Sequence, residues 1–207
     1  MKLRLTSALL AIAVALSCSL PAFAAGDFSA WDSSQYIPQD VFGTKLQEPV
    51  KYLMDKKILT GDTDGLFHPE KSINRAEFAT IIAKATNNLS ELPNYKDEEI
   101  FKDMDGYGWA KPYINVVAKA GLFKGRGQDK FAPGESVTYA EVITVIIRIN
   151  GAAAAAESMA PSWPGNYIAY AELEKNKWLM DVAVSDWGAP ATKGDATLLL
   201  YRNLPKN

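Results

Sequence analysis

The chain of 207 residues has one cysteine and one histidine, and its 24 acidic side chains nearly cancel 22 basic ones, for a net charge of -2. With Cys18 as the only thiol, a disulfide framework within the chain is excluded, and cleavage of a leader after Ala24 would remove thiol catalysis and cysteine-ligated metal as well. His68 alone cannot build a Ser-His-Asp triad or a histidine-rich metal centre. The missing basic excess leaves no footprint for a polyanion, which argues against nucleic acid and anionic membrane surfaces as partners. Any anion must be held locally. No glycine-rich phosphate loop or nucleophile motif is present either. What remains is an ordinary globular composition, 48% hydrophobic and 22% charged, sufficient for an apolar core.

Long apolar runs are confined to the start. Residues 1–24, MKLRLTSALLAIAVALSCSLPAFA, read as a secretory signal peptide: Lys2 and Arg4 precede an apolar stretch from Ala8 to Leu20, and Ala22-Phe23-Ala24 offers a small-x-small cleavage site. The alternatives are a retained anchor, for which the run falls short of the ~20 residues that span a bilayer, and a lipoprotein modified at Cys18. In the latter, Ala15 stands where leucine is usual. Residues 25–39 read as a flexible leading segment. No membrane contact is expected after cleavage.

An internal repeat organises the rest. Residues 49–87 lie without a gap over residues 113–151, with Gly61/Gly125, Phe67/Phe131, Pro69/Pro133, Ser72/Ser136, Ala76/Ala140, Glu77/Glu141, Thr80/Thr144 and Ile82/Ile146 identical. A worn third copy follows over 170–204, in which Thr192-Lys193-Gly194-Asp195 falls in the place of Asn74-Arg75-Ala76-Glu77. Each unit reads as helix, turn-rich loop, helix. Ile114, Val117, Ala118 and Gly121 recur at helical spacing, as do Val142, Val145, Ile146 and Ile149, while GDTDGLFHPEKS and GRGQDKFAPGES surround one central Phe. A helix pair with one apolar face cannot bury it alone, so the units must pack together in an all-α domain. The expected units span 40–88, 97–151 and 160–204. Gly151 and the five alanines after it mark a loop or short helical spacer.

Asn74-Arg75-Ala76-Glu77 and Thr138-Tyr139-Ala140-Glu141 both have capping-box spacing, with Ile73 and Val137 placed to staple Phe78 and Val142. Glu77 and Glu141 are thereby accounted for as architecture. Arg75 is not, because a cation in the first turn opposes the helix dipole. Lys193 repeats the anomaly, and Tyr139 occupies the place in the second unit. A guanidinium beside free helix-terminal amides suits a carboxylate or phosphate; the alternative is an ordinary surface ion pair. Trp109 and Trp187 offer rings for sugar C–H faces or, at a helix start, a cap on the core. Trp178, Phe67 and Phe131 read as core.

These features resemble three tandem S-layer homology domains, carried by Trp109-Ala110, Gly121-Leu122-Phe123-Lys124-Gly125, Asp64-Gly65-Leu66-Phe67-His68-Pro69 and Asn74-Arg75-Ala76-Glu77. The resemblance implies a pseudo-threefold helical bundle with three loop-bearing prongs. It further implies inter-prong grooves that bind secondary cell-wall polymers, often through a pyruvylated amino sugar, with the motif arginine on the acidic sugar. The candidate carbohydrate-binding set is then Arg75, Lys193, Trp109, Tyr139, Glu77, Asp64 and Trp187. The departures are Lys45-Leu46 for Trp-Ala in the first unit, the missing basic residue in the second and the missing Gly-x-Phe-x-Pro loop in the third. Fewer than three working grooves are expected.

Asp62-Thr63-Asp64-Gly65 has Phe67 where a calcium loop needs its sharp-turn glycine, so no metal is assigned. No carboxylate pair stands out for glycoside hydrolysis. The expectation is a non-catalytic, cofactor-free module on the bacterial cell surface, bound to an acidic wall polysaccharide or a peptidoglycan-linked glycan, with lattice or envelope proteins as further partners. The alternative is an envelope protein of structural or interaction type with degenerate grooves.

Overall fold

The computed structural model describes residues 36–173 and 175–205. The expected signal peptide lies outside the described residues, as does most of the leading segment. Among the described residues the backbone forms helices, turns and three isolated antiparallel bridges, which agrees with an all-α chain. The helices are α1 (Gln47–Asp55), α2 (Arg75–Ala85), α3 (Leu92–Tyr95, entered through a 3-10 turn at Asn88–Glu91), α4 (Lys111–Lys119) and α5 (Tyr139–Ile149). They continue as α6 (Ala153–Glu157), α7 (Gly165–Leu173), α8 (Lys175–Trp178) and α9 (Lys193–Asn203). The alanine run is thus a helical spacer, and Ala156 is fully buried. No helix among the described residues is long and apolar enough to cross a membrane.

Both capping boxes form. Asn74 accepts from the Glu77 amide at 2.8 Å while Glu77 accepts from the Asn74 amide at 3.0 Å, and Thr138 and Glu141 exchange the same two bonds. Thr192 caps α9 through the Asp195 amide at 3.0 Å, but the Asp195 carboxylate accepts from Tyr139 Oη instead of returning to the cap. The staple residues Ile73, Phe78, Val137 and Val142 are all buried.

Residues just ahead of the three caps meet at the centre. The Ile73 amide donates to Ala191 O at 3.2 Å, the Ala191 amide to Val137 O at 2.8 Å, and the Val137 amide to Ile73 O at 3.0 Å. The circuit closes on itself. The bridges Ser72–Thr192, Asn74–Ser136 and Thr138–Pro190 flank it. Around this centre α4 packs on α2, α7 on α5, and α1 on α9. The last pairing joins the two ends of the described chain: Tyr52 and Tyr201 meet edge to face at 5.3 Å, and Tyr201 Oη donates to Glu48 at 2.6 Å. One continuous apolar cluster runs through all of it.

Phe67 and Phe131 are completely buried and plug their loops. The residue after each Phe has a left-handed backbone, His68 at φ 56° and Ala132 at φ 59°, a conformation that costs a side-chain-bearing residue about 1–3 kcal/mol. Each is held by a carboxylate from the preceding segment. Asp40 accepts from the Phe67 and His68 amides, and Asp103 from those of Phe131 and Ala132. Residues 36–39 also lie against the first loop, where Tyr36 Oη donates to Gly65 O.

The repeat position Gly61/Gly125 separates the two loops. A Cβ on Gly125 would sit 2.6 Å from Lys130 O and 2.5 Å from the Phe101 ring, whereas on Gly61 the nearest atom, Leu66 O, is 3.5 Å away. Gly125→Ala should cost about 1–3 kcal/mol through overpacking, and Gly61→Ala should stay within about 0.5 kcal/mol. Paired urea melts will show this, and equal losses would refute it.

Candidate functional site

The amides at the start of α2, α5 and α9, which would make an anion site if free, are all taken. Arg75 N and Ala76 N donate to Glu135 O and Pro133 O, at 2.9 and 3.0 Å. Tyr139 N and Ala140 N donate to Ala189 O and Trp187 O, and Lys193 N and Gly194 N to Lys71 O and Pro69 O. Each of these three helix starts is closed by carbonyls of a distant loop. The expectation that a guanidinium and open helix-terminal amides share one anion is therefore corrected: those donors are occupied by backbone, as buried amides must be.

Arg75 is fully buried. Its Nε donates to Phe131 O at 2.8 Å, Nη1 to Glu141 Oε1 at 2.5 Å and Nη2 to Lys124 O at 3.0 Å. The guanidinium carbon lies 4.3 Å from the Phe123 ring centre and 4.6 Å from that of Phe131. Burial pulls its pKa down to about 10, opposed by the adjacent Glu141, so it stays charged at neutral pH. The side chain leaves its own helix dipole and spans to the next unit. That resolves the anomaly of a cation in the first turn.

Lys193 repeats the contact on a smaller scale. Its Nζ stands 4.8 Å from the Phe67 ring centre and donates to Asp62 at 3.0 Å. In the register of the interlocking bonds, Trp187 O takes the part of Pro69 O, so Ser185 stands where the other loops have Phe67 and Phe131. The residue facing that loop is Tyr139, whose hydroxyl donates to Asp195 at 2.6 Å and whose pKa is raised by burial and then by that carboxylate. Tyr139 in place of a cation and Ser185 in place of a Phe are thus two sides of one junction.

The other predicted residues are dispersed. Glu77 is exposed and serves its cap. Asp64 is exposed and accepts from the Leu66 amide and from His68 Nε2, and these two bonds lower its pKa. Trp109 is 54% exposed, while Trp187 is half-buried with its Nε1 on Glu172. None of the seven lines the groove of about 600 Å³ between the second loop, α5 and the α6–α7 segment.

Arg126, Arg148, Glu141, Glu157 and Trp163 are among the residues that do line it. Trp163 is 51% exposed and donates from Nε1 to Thr144 Oγ1 at 3.1 Å. Arg148 donates to Leu122 O and Tyr167 Oη, and Tyr167 donates to Glu157. Arg126 donates to both Glu141 oxygens from Nη2 and to Glu135 from Nη1. Trp163 had a legible signal: Trp163-x-x-x-Tyr167-Ile168 repeats Trp109-x-x-x-Tyr113-Ile114. Arg126 had none beyond its place in the loop. Among the described residues no group of three or more His, Cys, Asp or Glu side chains could hold a metal ion.

The family model for the S-layer homology domain matches residues 40–79 and 100–143. The chain is 34% identical over 131 residues to a cellulosome-anchoring protein of Acetivibrio thermocellus, covering 60% of this chain and 28% of that protein. It is 27% identical over 168 residues to the middle cell wall protein of Brevibacillus brevis, covering 81% of this chain and 15% of that one. An uncharacterized cell wall amidase of Bacillus anthracis is 35% identical over 101 residues, 49% of this chain and 18% of the amidase. The chain thus spans between 15 and 28% of the length of these relatives.

Arg75→Met should lower stability by about 3 kcal/mol, because Glu141 and two carbonyls lose a buried partner. Lys193→Met, at a partly exposed pair, should change it by no more than about 1 kcal/mol. Denaturant melts decide between this and equal effects. Asp64 should titrate below the ordinary aspartate range, and His68→Ala should raise its midpoint part of the way, since Leu66 still donates; carboxyl NMR titration checks this.

Proposed function

We propose, from the match of the S-layer homology family model to residues 40–79 and 100–143, that the chain is a non-catalytic module that attaches to the bacterial cell wall through an acidic secondary polysaccharide, such as a pyruvylated one. Its similarity to a cellulosome-anchoring protein and a middle cell wall protein supports attachment at the cell surface. We read residues 160–204 as a third, divergent unit and the whole as pseudo-threefold. The closed circuit of Ile73, Val137 and Ala191 supports this, as do the three cyclic helix pairings.

The observation that carries the glycan reading is the groove itself. It places the half-open Trp163 ring beside Arg126 and Arg148, so a sugar face and an acidic substituent have partners in one cleft. Arg75 belongs to this reading as the cation beneath the groove, reaching it through Glu141 and Lys124. Trp109 and Asp64, both exposed, remain candidates for separate glycan contacts, whereas Lys193, Tyr139, Glu77 and Trp187 enter as the residues that shape the junctions. A second reading, an envelope protein of structural type, draws support from the burial of Arg75 and the occupation of the α2, α5 and α9 starts.

Protein lacking residues 1–24 should co-sediment with cell-wall sacculi and be lost from them once wall polymers are stripped with acid. Binding that survives stripping would point to peptidoglycan. Absence of binding to either preparation would favour the structural reading.

A further inference from the structure

From Asn87 to Trp109 no residue is buried, although this connector joins α2 to α4, which pack on each other. The connector after α5 is different, since Ala156 of its helix α6 is fully buried. Within 87–100 the apolar side chains Leu89, Leu92, Tyr95 and Ile100 all stand outside the apolar cluster that joins the other elements. Few apolar contacts and much exposed backbone are the marks of a segment that opens by itself.

One side chain of α4 holds it down. Asn115 is 1% exposed and donates from Nδ2 to Tyr95 O and to Glu98 O, both at 2.9 Å. Its Oδ1 is buried with no hydrogen-bond partner in the protein, so the amide carries a desolvation cost that those two bonds alone offset. The core by itself would favour an apolar residue at this position. A further tie runs from Lys119 Nζ to Glu98 at 2.9 Å, and both groups are exposed enough for solvent to screen the pair.

Both ends of the segment are pinned. Asn87 leaves α2 with a left-handed backbone, φ 57°. Beyond residue 100, Phe101 packs on Phe131 at 5.3 Å and the Lys102 amide donates to Asp129 O at 2.8 Å. The circuit of Ile73, Val137 and Ala191 and the packing of α2 on α4 lie outside the segment. Opening it breaks neither.

We propose that residues 88–98 are a strap that opens and closes as one unit, with Asn115 as its clasp, while the interlocked core stays folded. A cut in the open strap then leaves both fragments bound to each other, because the contacts that join them are made elsewhere.

The test is hydrogen exchange read by mass spectrometry at pH 7 on protein lacking residues 1–24, with urea melts alongside. In wild type the amides of 88–98 should exchange together, about a hundredfold or more faster than those of α2, α5 and α9 but slower than in an unstructured peptide. Asn115→Leu, which removes both donors and the unpaired oxygen together, should speed 88–98 by about tenfold or more. The exchange of α2, α5 and α9 and the urea midpoint should not fall with it. Lys119→Gln should speed 88–98 by no more than about threefold. Glu-C protease should cut wild type first after Glu91, Glu98 or Glu99, and the two fragments should co-elute in size-exclusion chromatography. Exchange of wild-type 88–98 at the rate of the core, or at the unstructured rate, overturns the strap, as does a first cut after Glu135 or Glu157 or separation of the fragments. If Asn115→Leu raises exchange everywhere alike, or fails to fold, Asn115 belongs to the core and is not the clasp.

Discussion

Three backbone hydrogen bonds, passed from Ile73 to Ala191, from Ala191 to Val137 and from Val137 back to Ile73, are what the rest of this molecule hangs on. All three residues are buried, so their amides have no water to turn to, and an unmade bond there would cost about 1–3 kcal/mol. The circuit needs the segments ahead of α2, α5 and α9 at once. It sets each cap residue beside another unit's loop, and the loop carbonyls then satisfy the amides that a helix start leaves open. Secondary structure and assembly of the units are the same event here, because the helix ends are completed only by neighbours.

The same interlocking accounts for the cations in the first helical turns. Arg75 reaches the carbonyls, the rings and the glutamate of the next unit, and its dipole penalty of a few tenths of a kcal/mol is small beside those contacts. Where the neighbouring loop has Phe67, Lys193 stacks on it, and where the loop has Ser185, a tyrosine hydroxyl bonded to Asp195 replaces the cation. Along the chain, residues 113–151 lack the first-turn cation and residues 170–204 lack the loop Phe. Read across the junction, one change accompanies the other, since a buried cation without a ring to lie on would be poorly compensated.

The groove is lined by residues that the motif does not contain. Trp163, Arg126 and Arg148 come from a connector, a loop and the outer side of α5, and they share a cleft only because α7 packs on α5. Arg126 has the additional property of being held by one buried and one exposed glutamate.

The amino-acid order by itself determined the helices, their caps and their apolar faces, because capping boxes, staples and helical spacing act within a few residues. It also determined the repeat, and with it the need for units to pack together, and the plugging of two loops by Phe67 and Phe131. It did not determine which donors remain free. Arg75 reads equally well as an exposed anion ligand or as a buried brace, since the difference lies in Pro133, Glu135, Phe131 and Glu141, more than fifty residues away. Only the tertiary structure decided that the helix starts are closed, that the scarce cations of the first turns face inward, and that the open cleft belongs to Trp163 and Arg126. The physical reason is that hydrogen-bond satisfaction and burial are properties of the assembled neighbours.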